Sequence, residues 1–165
     1  MPQLEPPLTA PAVVDVTELA ARVGEVLGPT AWHDVTQDTI DTFARLTGDD
    51  QWIHVDPDRA KAGPFGAPIA HGYFTLSLST VFLDQLVTVR GASVMLNYGA
   101  NRVRFPAPVP VASRVRAVVE LAAVEPVVGG LQAHWHLSFE VEGSPKPACV
   151  AEILYRYYSD FPGRR

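Results

Sequence analysis

Cysteine occurs once in this chain, at position 149, and methionine only twice. A single thiol excludes a disulfide framework and a cysteine-rich metal site, and its place in an apolar run predicts a small buried side chain. Long hydrophobic runs are also missing. The most apolar stretch, Gly72 to Leu83, falls short of the roughly 20 residues that a membrane span needs, so no membrane insertion is expected. Positive charge is scarce as well. A formal net charge of -5 argues against nucleic acid or an anionic membrane as the main partner. The proline-rich start, Met1 to Pro11, has neither the basic residues nor the apolar core of a secretory signal, which leaves the cytoplasm as the expected compartment.

What is present fits one globular domain of 165 residues with 47% hydrophobic side chains. Residues 1–14 are expected to form a loose arm and residues 15–160 the domain. A helix is predicted from Asp15, with Glu18 completing a capping box and Val16, Leu19, Ala20, Val23, Val26 and Leu27 on its apolar side, until Gly28-Pro29 stops it. A second helix starts at Thr36, buries Ile40, Phe43, Ala44 and Leu46, and leaves through Gly48. Asp56-Pro57 opens a short third helix, which confines Asp49 to Val55 to a tight connection outside any helix interior. The segment from His71 to Val87 is apolar on nearly every side and predicts one long central helix.

After Gly91 the period changes to two. Leu131, Ala133, Trp135, Leu137, Phe139 and Val141 alternate with polar residues, as do Val115 to Leu121 and Cys149 to Tyr157. Met95 to Tyr98 and Arg102 to Phe105 supply further strand, and the prolines from Pro106 to Pro110 belong to a connection or an edge. The fold class is therefore α+β, with an antiparallel sheet wrapped around one long helix in the manner of a hot-dog domain. Such a sheet leaves an edge and a face open, so a homodimer is expected.

The stretch Phe43 to Pro57, F-A-R-L-T-G-D-D-Q-W-I-H-V-D-P, holds a Gly-Asp pair, a histidine five residues after that Asp, and an Asp-Pro two residues further on. This order and spacing resembles the hydratase signature of the MaoC-like, (R)-specific enoyl-CoA hydratase family. Gly63 to Gly72 and Asn97 to Val109 also look like the family's lead into its central helix and its next strand. The resemblance spans about residues 36–116. It departs at Gln51-Trp52, where the family usually has Asn-Pro, so a restraint on the loop is lost. Similar loops occur in the nodulation-protein-N-like branch of the family.

The resemblance implies a hot-dog domain with N-terminal helices and an active-site overhang. It implies water addition to a trans-2-enoyl thioester, or the reverse dehydration of an (R)-3-hydroxyacyl thioester, with coenzyme A or an acyl-carrier protein as the thiol. No metal or organic cofactor is expected. It places Asp49 and His54 around a shared catalytic water and the Gly72 backbone N–H at the thioester oxygen. The chemistry asks for the same parts: a base and an acid for the water and C2, and donors for the developing enolate oxygen. For one water to bridge them, the polar atoms of Asp49 and His54 must lie within roughly 5–6 Å.

Gln51, His71, Tyr73, Asn97 and Asn101 are candidate substrate-binding residues; the alternative is a plain loop amide for Gln51, Asn97 and Asn101, a capping or packing role for His71, and a core residue of its helix for Tyr73. Arg102, Arg104, Arg114 and Arg116 are candidates for the coenzyme phosphates, although the last two equally fit the polar face of a strand. His134 and His136 fall on the polar face of theirs and are expected to be solvated, without a third ligand at metal spacing. Two other functions stay open: a hot-dog thioesterase, and a non-catalytic acyl-thioester binding protein.

Overall fold

The computed structural model describes residues 10–160. Its scaffold is a curved antiparallel sheet made from four long strands, β5 (Val94–Arg104), β6 (Arg114–Val127), β7 (Gly130–Val141) and β8 (Cys149–Tyr158), in the order β6-β7-β8-β5. Two short strands, β2 (Val26–Leu27) and β3 (His33–Asp34), pair with β6 on its other side. Alternation fixes which face is inward. Val115, Ala117, Val119 and Leu121 of β6 face the core with Trp135, Leu137 and Phe139 of β7 and Cys149, Ile153, Tyr155 and Tyr157 of β8. Cys149 is fully buried, and burial pushes its thiol up to about 12.

The sheet encloses the predicted central helix, which is in two pieces: α4 (Gly72–Ser77) and α5 (Ser79–Leu86). The break has a local cause. The Ser77 hydroxyl donates to the Phe74 carbonyl at 2.6 Å, the oxygen that Leu78 N–H would use in a continuous helix. Leu78 N–H turns instead to the Thr75 carbonyl at 3.2 Å. Phe74, Phe82, Leu83 and Leu86 still point into the one core that the sheet encloses.

Three expectations are corrected at the N-terminal side. Residues 1–9 of the expected arm lie outside the described residues, but Ala12–Asp15 is a strand, β1, paired in parallel with β4 (Val87–Arg90). The first helix shrinks to a 3-10 segment, Val16–Arg22. Asp15 caps it through Thr17 N–H, and Gly24 leaves it with a positive φ and a bond to the Leu121 carbonyl. Val26 and Leu27 follow the ladder of β6 rather than their helical spacing, because pairing satisfies their backbone and Leu27 still packs on the core.

The second helix, α1 (Gln37–Thr47), is capped as expected by Thr36, and Gly48 closes it with φ 76°. Ile40 and Ala44 are buried, but Leu46 is 80% exposed, since it stands off the i, i+4 stripe they define. Asp49 to Val55 includes a single helical turn, α2 (Trp52–Val55), where only a connection was expected. Asp56 then caps α3 (Pro57–Lys61) by accepting from Arg59 N–H.

Candidate active site

The end of α1, the turn of α2 and the start of α4 meet beside the Phe105–Val109 segment. Gly48 turns the chain out of α1 and leaves Asp49 exposed on the following loop. The Gln51 backbone carbonyl accepts from the N–H groups of His54 and Val55, which folds the loop into the α2 turn and carries the His54 ring inward. His54 is 6% exposed. Gln37 of α1 donates to the His54 carbonyl at 2.8 Å and so ties α2 to α1.

The loop is not freed by the absence of proline at position 52. The Trp52 ring lies so close over Gly63 that a Cβ there would sit 2.8 Å from it, and Arg59 stacks on the same ring at 4.6 Å. Packing replaces the covalent restraint.

Asp49, His54 and His71 each bring a ligand-type side-chain atom within 4.8 Å of the others, which is inside the span that one bridging water needs between the carboxylate and the His54 imidazole. The His54 Nδ1 stands 2.6 Å from the Ile69 carbonyl oxygen, which can only accept. Neutral His54 therefore carries its proton on Nδ1 and keeps a basic lone pair on Nε2. Burial holds the imidazole below its ordinary value. The bond to Ile69 and the charge of Asp49 oppose that shift, while His71 reinforces it.

A cavity of about 390 Å³ opens beside this group, lined by His54, Phe65, Ile69, Ala70, Gly72, Thr75, the Phe105–Val109 segment and Ala148. Gly72 is the first residue of α4, so its N–H has no intrahelical acceptor. A Cβ at Gly72 would stand 3.0 Å from the Phe105 ring.

Asp49, His54 and Gly72 thus gather at one place. His54 and Gly72 line the cavity, whereas Asp49, beside His54, and the other candidates do not. Gln51 is exposed, Tyr73 is 73% exposed with its ring edge against Phe105, and Asn97 and Asn101 are exposed on β5. His71 is buried at 2% exposure, stacked on His54 with ring centroids 3.8 Å apart. Phe65, Thr75 and Phe105 line the cavity without having been singled out. The resemblance of Asn97 to Val109 to a family segment was the available signal for Phe105.

Asp49, His54 and His71 are also the side chains among the described residues that could hold a metal ion. Their geometry counts against it. The two imidazoles are stacked at an interplanar angle of 25°, so their in-plane lone pairs run alongside each other rather than meeting at a point.

Arg114 and Arg116 pair with Glu142 and Glu140 across the β6–β7 ladder and both stack on Trp32, which fits the strand-face reading. His134 is corrected: it is not solvated. Its Nδ1 bonds the Glu152 carboxylate at 2.6 Å, a diagonal cross-strand contact that holds Glu152 below the usual carboxylate range. His136 stays half exposed, beside Glu120.

The comparisons with known proteins agree with the fold. A MaoC-like domain matches residues 18–130, and the chain belongs to that family. It is an enzyme of the dehydratase and hydratase kind, with the hot-dog fold. It is 54% identical over 143 residues to 3-hydroxyacyl-thioester dehydratase Z of Mycobacterium tuberculosis, which covers 86% of this chain and 95% of that one. It is 39% identical over 144 residues to nodulation protein N of Rhizobium leguminosarum, covering 86% and 89%. The solved (R)-hydratase of A. caviae involved in PHA biosynthesis superposes with a TM-score of 0.68 at 25% identity, over 82% of this chain and 96% of that one. No helix among the described residues is long and apolar enough to cross a membrane.

Proposed function

We propose that this protein interconverts trans-2-enoyl and (R)-3-hydroxyacyl thioesters of coenzyme A or an acyl-carrier protein, in the cytoplasm and without a metal or organic cofactor. The observation that carries the reading is the Asp49 carboxylate within 4.8 Å of the His54 imidazole, beside a cavity that Gly72 also lines.

In the hydration direction, a water held between Asp49 and His54 bonds through oxygen to C3, and His54 Nε2 takes up one of its protons. C2 gains a proton from the same shared network, so one water is added in all. Negative charge collects on the thioester oxygen between these events, and we assign the Gly72 N–H, at the cavity and without an intrahelical acceptor, as its donor. A donor of this kind is typically worth about 3–4 kcal/mol in the transition state. The similarity to a 3-hydroxyacyl-thioester dehydratase and to an (R)-hydratase supports the substrate class and the stereochemistry. We assign the working form as a homodimer joined through β5, the open edge of the sheet.

The test offers the purified protein crotonyl-CoA and longer enoyl-CoAs. Enoyl absorbance and free thiol are followed together, with (R)- and (S)-3-hydroxybutyryl-CoA supplied for the reverse direction. Loss of absorbance without thiol, and use of the R isomer alone, is the expected result. Thiol release would identify a thioesterase, and neither signal would identify a binding protein. Asp49→Asn and His54→Gln should each lower turnover by about 10²–10⁴-fold, the usual contribution of a positioned acid or base. Wild-type rates in both variants would remove these residues from the mechanism.

A further inference from the structure

His71 has no place in the reaction described above, yet it touches both residues that do. Its Nε2 lies 2.9 Å from the backbone carbonyl of Asp49, and its ring lies flat against the ring of His54. On its other side it meets Phe43 of α1, with centroids 5.1 Å apart. The Asp49 carbonyl can only accept, so neutral His71 carries its proton on Nε2. Its Nδ1 is then a bare lone pair, buried without a partner among the described residues. A buried polar atom left unpaired is costly, and an apolar residue of similar size would avoid that cost. Packing alone therefore does not account for a histidine here.

We infer that His71 is a positioning residue: its Nε2–H anchors the backbone of Asp49 while its ring face fixes the plane of His54, which sets the spacing of the carboxylate and imidazole. This rests on the assignment of Asp49 and His54 under the proposed function. The two contacts need different chemistry, a donor for one and a flat ring for the other, and imidazole supplies both. Among the described residues, His71 supplies the side-chain hydrogen bond that ties the exposed loop at Asp49 to the start of α4, and without it the His54 ring is held by its hydrogen bond to Ile69. The titratable groups that face His54 are Asp49, from the loop after α1, and His71, from the residue before α4.

Three variants and one measurement on the unaltered protein test the inference. His71→Ala removes donor and ring, His71→Gln keeps an N–H donor at the position of Nε2, and His71→Phe keeps the flat face. His71→Ala should lower kcat by up to about 100-fold, the usual penalty for a misplaced catalytic group, with KM little changed. His71→Gln and His71→Phe should each recover part of that loss, and the acid limb of the rate should move to higher pH in His71→Ala. In the wild type, imidazole nitrogen chemical shifts should show neutral His71 protonated on Nε2. Wild-type kcat and pH profile in His71→Ala, or a proton on Nδ1, would overturn the inference. Should His71→Ala not fold, the nitrogen shifts decide. Wild-type protein inactive on every thioester would instead sink the proposed function, leaving the His71 contacts to be judged by nuclear magnetic resonance.

Discussion

His54 and Ile69 are joined by a 2.6 Å hydrogen bond from the imidazole Nδ1 to a backbone carbonyl, and this contact leaves Nε2 as the nitrogen free for chemistry. Burial keeps that nitrogen unprotonated below the ordinary histidine value of 6.5. The acid limb of kcat/KM should accordingly fall below 6.5, and activity should persist where a solvated histidine would be half protonated.

Stability should show the same group with a definite sign. A histidine whose folded value is lowered binds fewer protons in the native state than in the unfolded chain, so folding loses stability as pH falls from 6.5 through the folded value. His33, also lowered by burial, adds in the same direction. Urea midpoints at about pH 7.5 and about pH 5.5 check this, with the lower midpoint expected at the lower pH. An unchanged midpoint would mean that neither imidazole is withdrawn from water.

The parts of the fold legible from sequence were those written in local chemistry. Thr36, Gly48 and Asp56 cap and stop helices by side-chain and φ requirements that act within a few residues. The alternation along β6, β7 and β8 follows from one buried face. The missed features depend on distant partners. Val26 and Leu27 leave helical spacing because β6 offers a ladder, and Ala12–Asp15 is ordered by β4. At the site, Asp49, His54 and Gly72 were marked by an ordered motif, whereas the Ile69 and Asp49 carbonyls, which orient the two histidines, are backbone atoms with no side-chain signature.

Gly72 allows a test of close approach that leaves its N–H in place. A Cβ there would stand 3.0 Å from Phe105, whose half-exposed ring also lines the cavity, so Gly72→Ala pushes that ring toward the space meant for substrate. Gly72 opens α4 rather than lying inside it, and the half-exposed Phe105 ring can shift by a few tenths of an ångström, so the melting temperature should change little. Turnover should still fall, by less than the ~10²–10³-fold that loss of an oxyanion donor costs. Phe105→Leu in the same chain should return part of the rate. A variant with full activity would show that the cavity mouth has room to spare.

β5 supplies the last prediction. It ends the strand order beyond β8, and Met95, Leu96 and Tyr98 are each at least 40% exposed. The β8 ladder satisfies only one edge of β5, and a long apolar open edge invites a second strand. Two register irregularities, between Asn97 and Gly99 and between Asn101 and Arg104, bend the strand. They confine straight pairing to its first half, where the exposed apolar residues are. Light scattering should therefore report a dimer for the wild type. A charged pair, Met95→Glu with Leu96→Glu, should return monomer with its circular dichroism intact, because both side chains are at least 40% exposed and neither belongs to the described core cluster. A dimer that survived both charges would place the contact on another surface and leave the β5 edge unexplained.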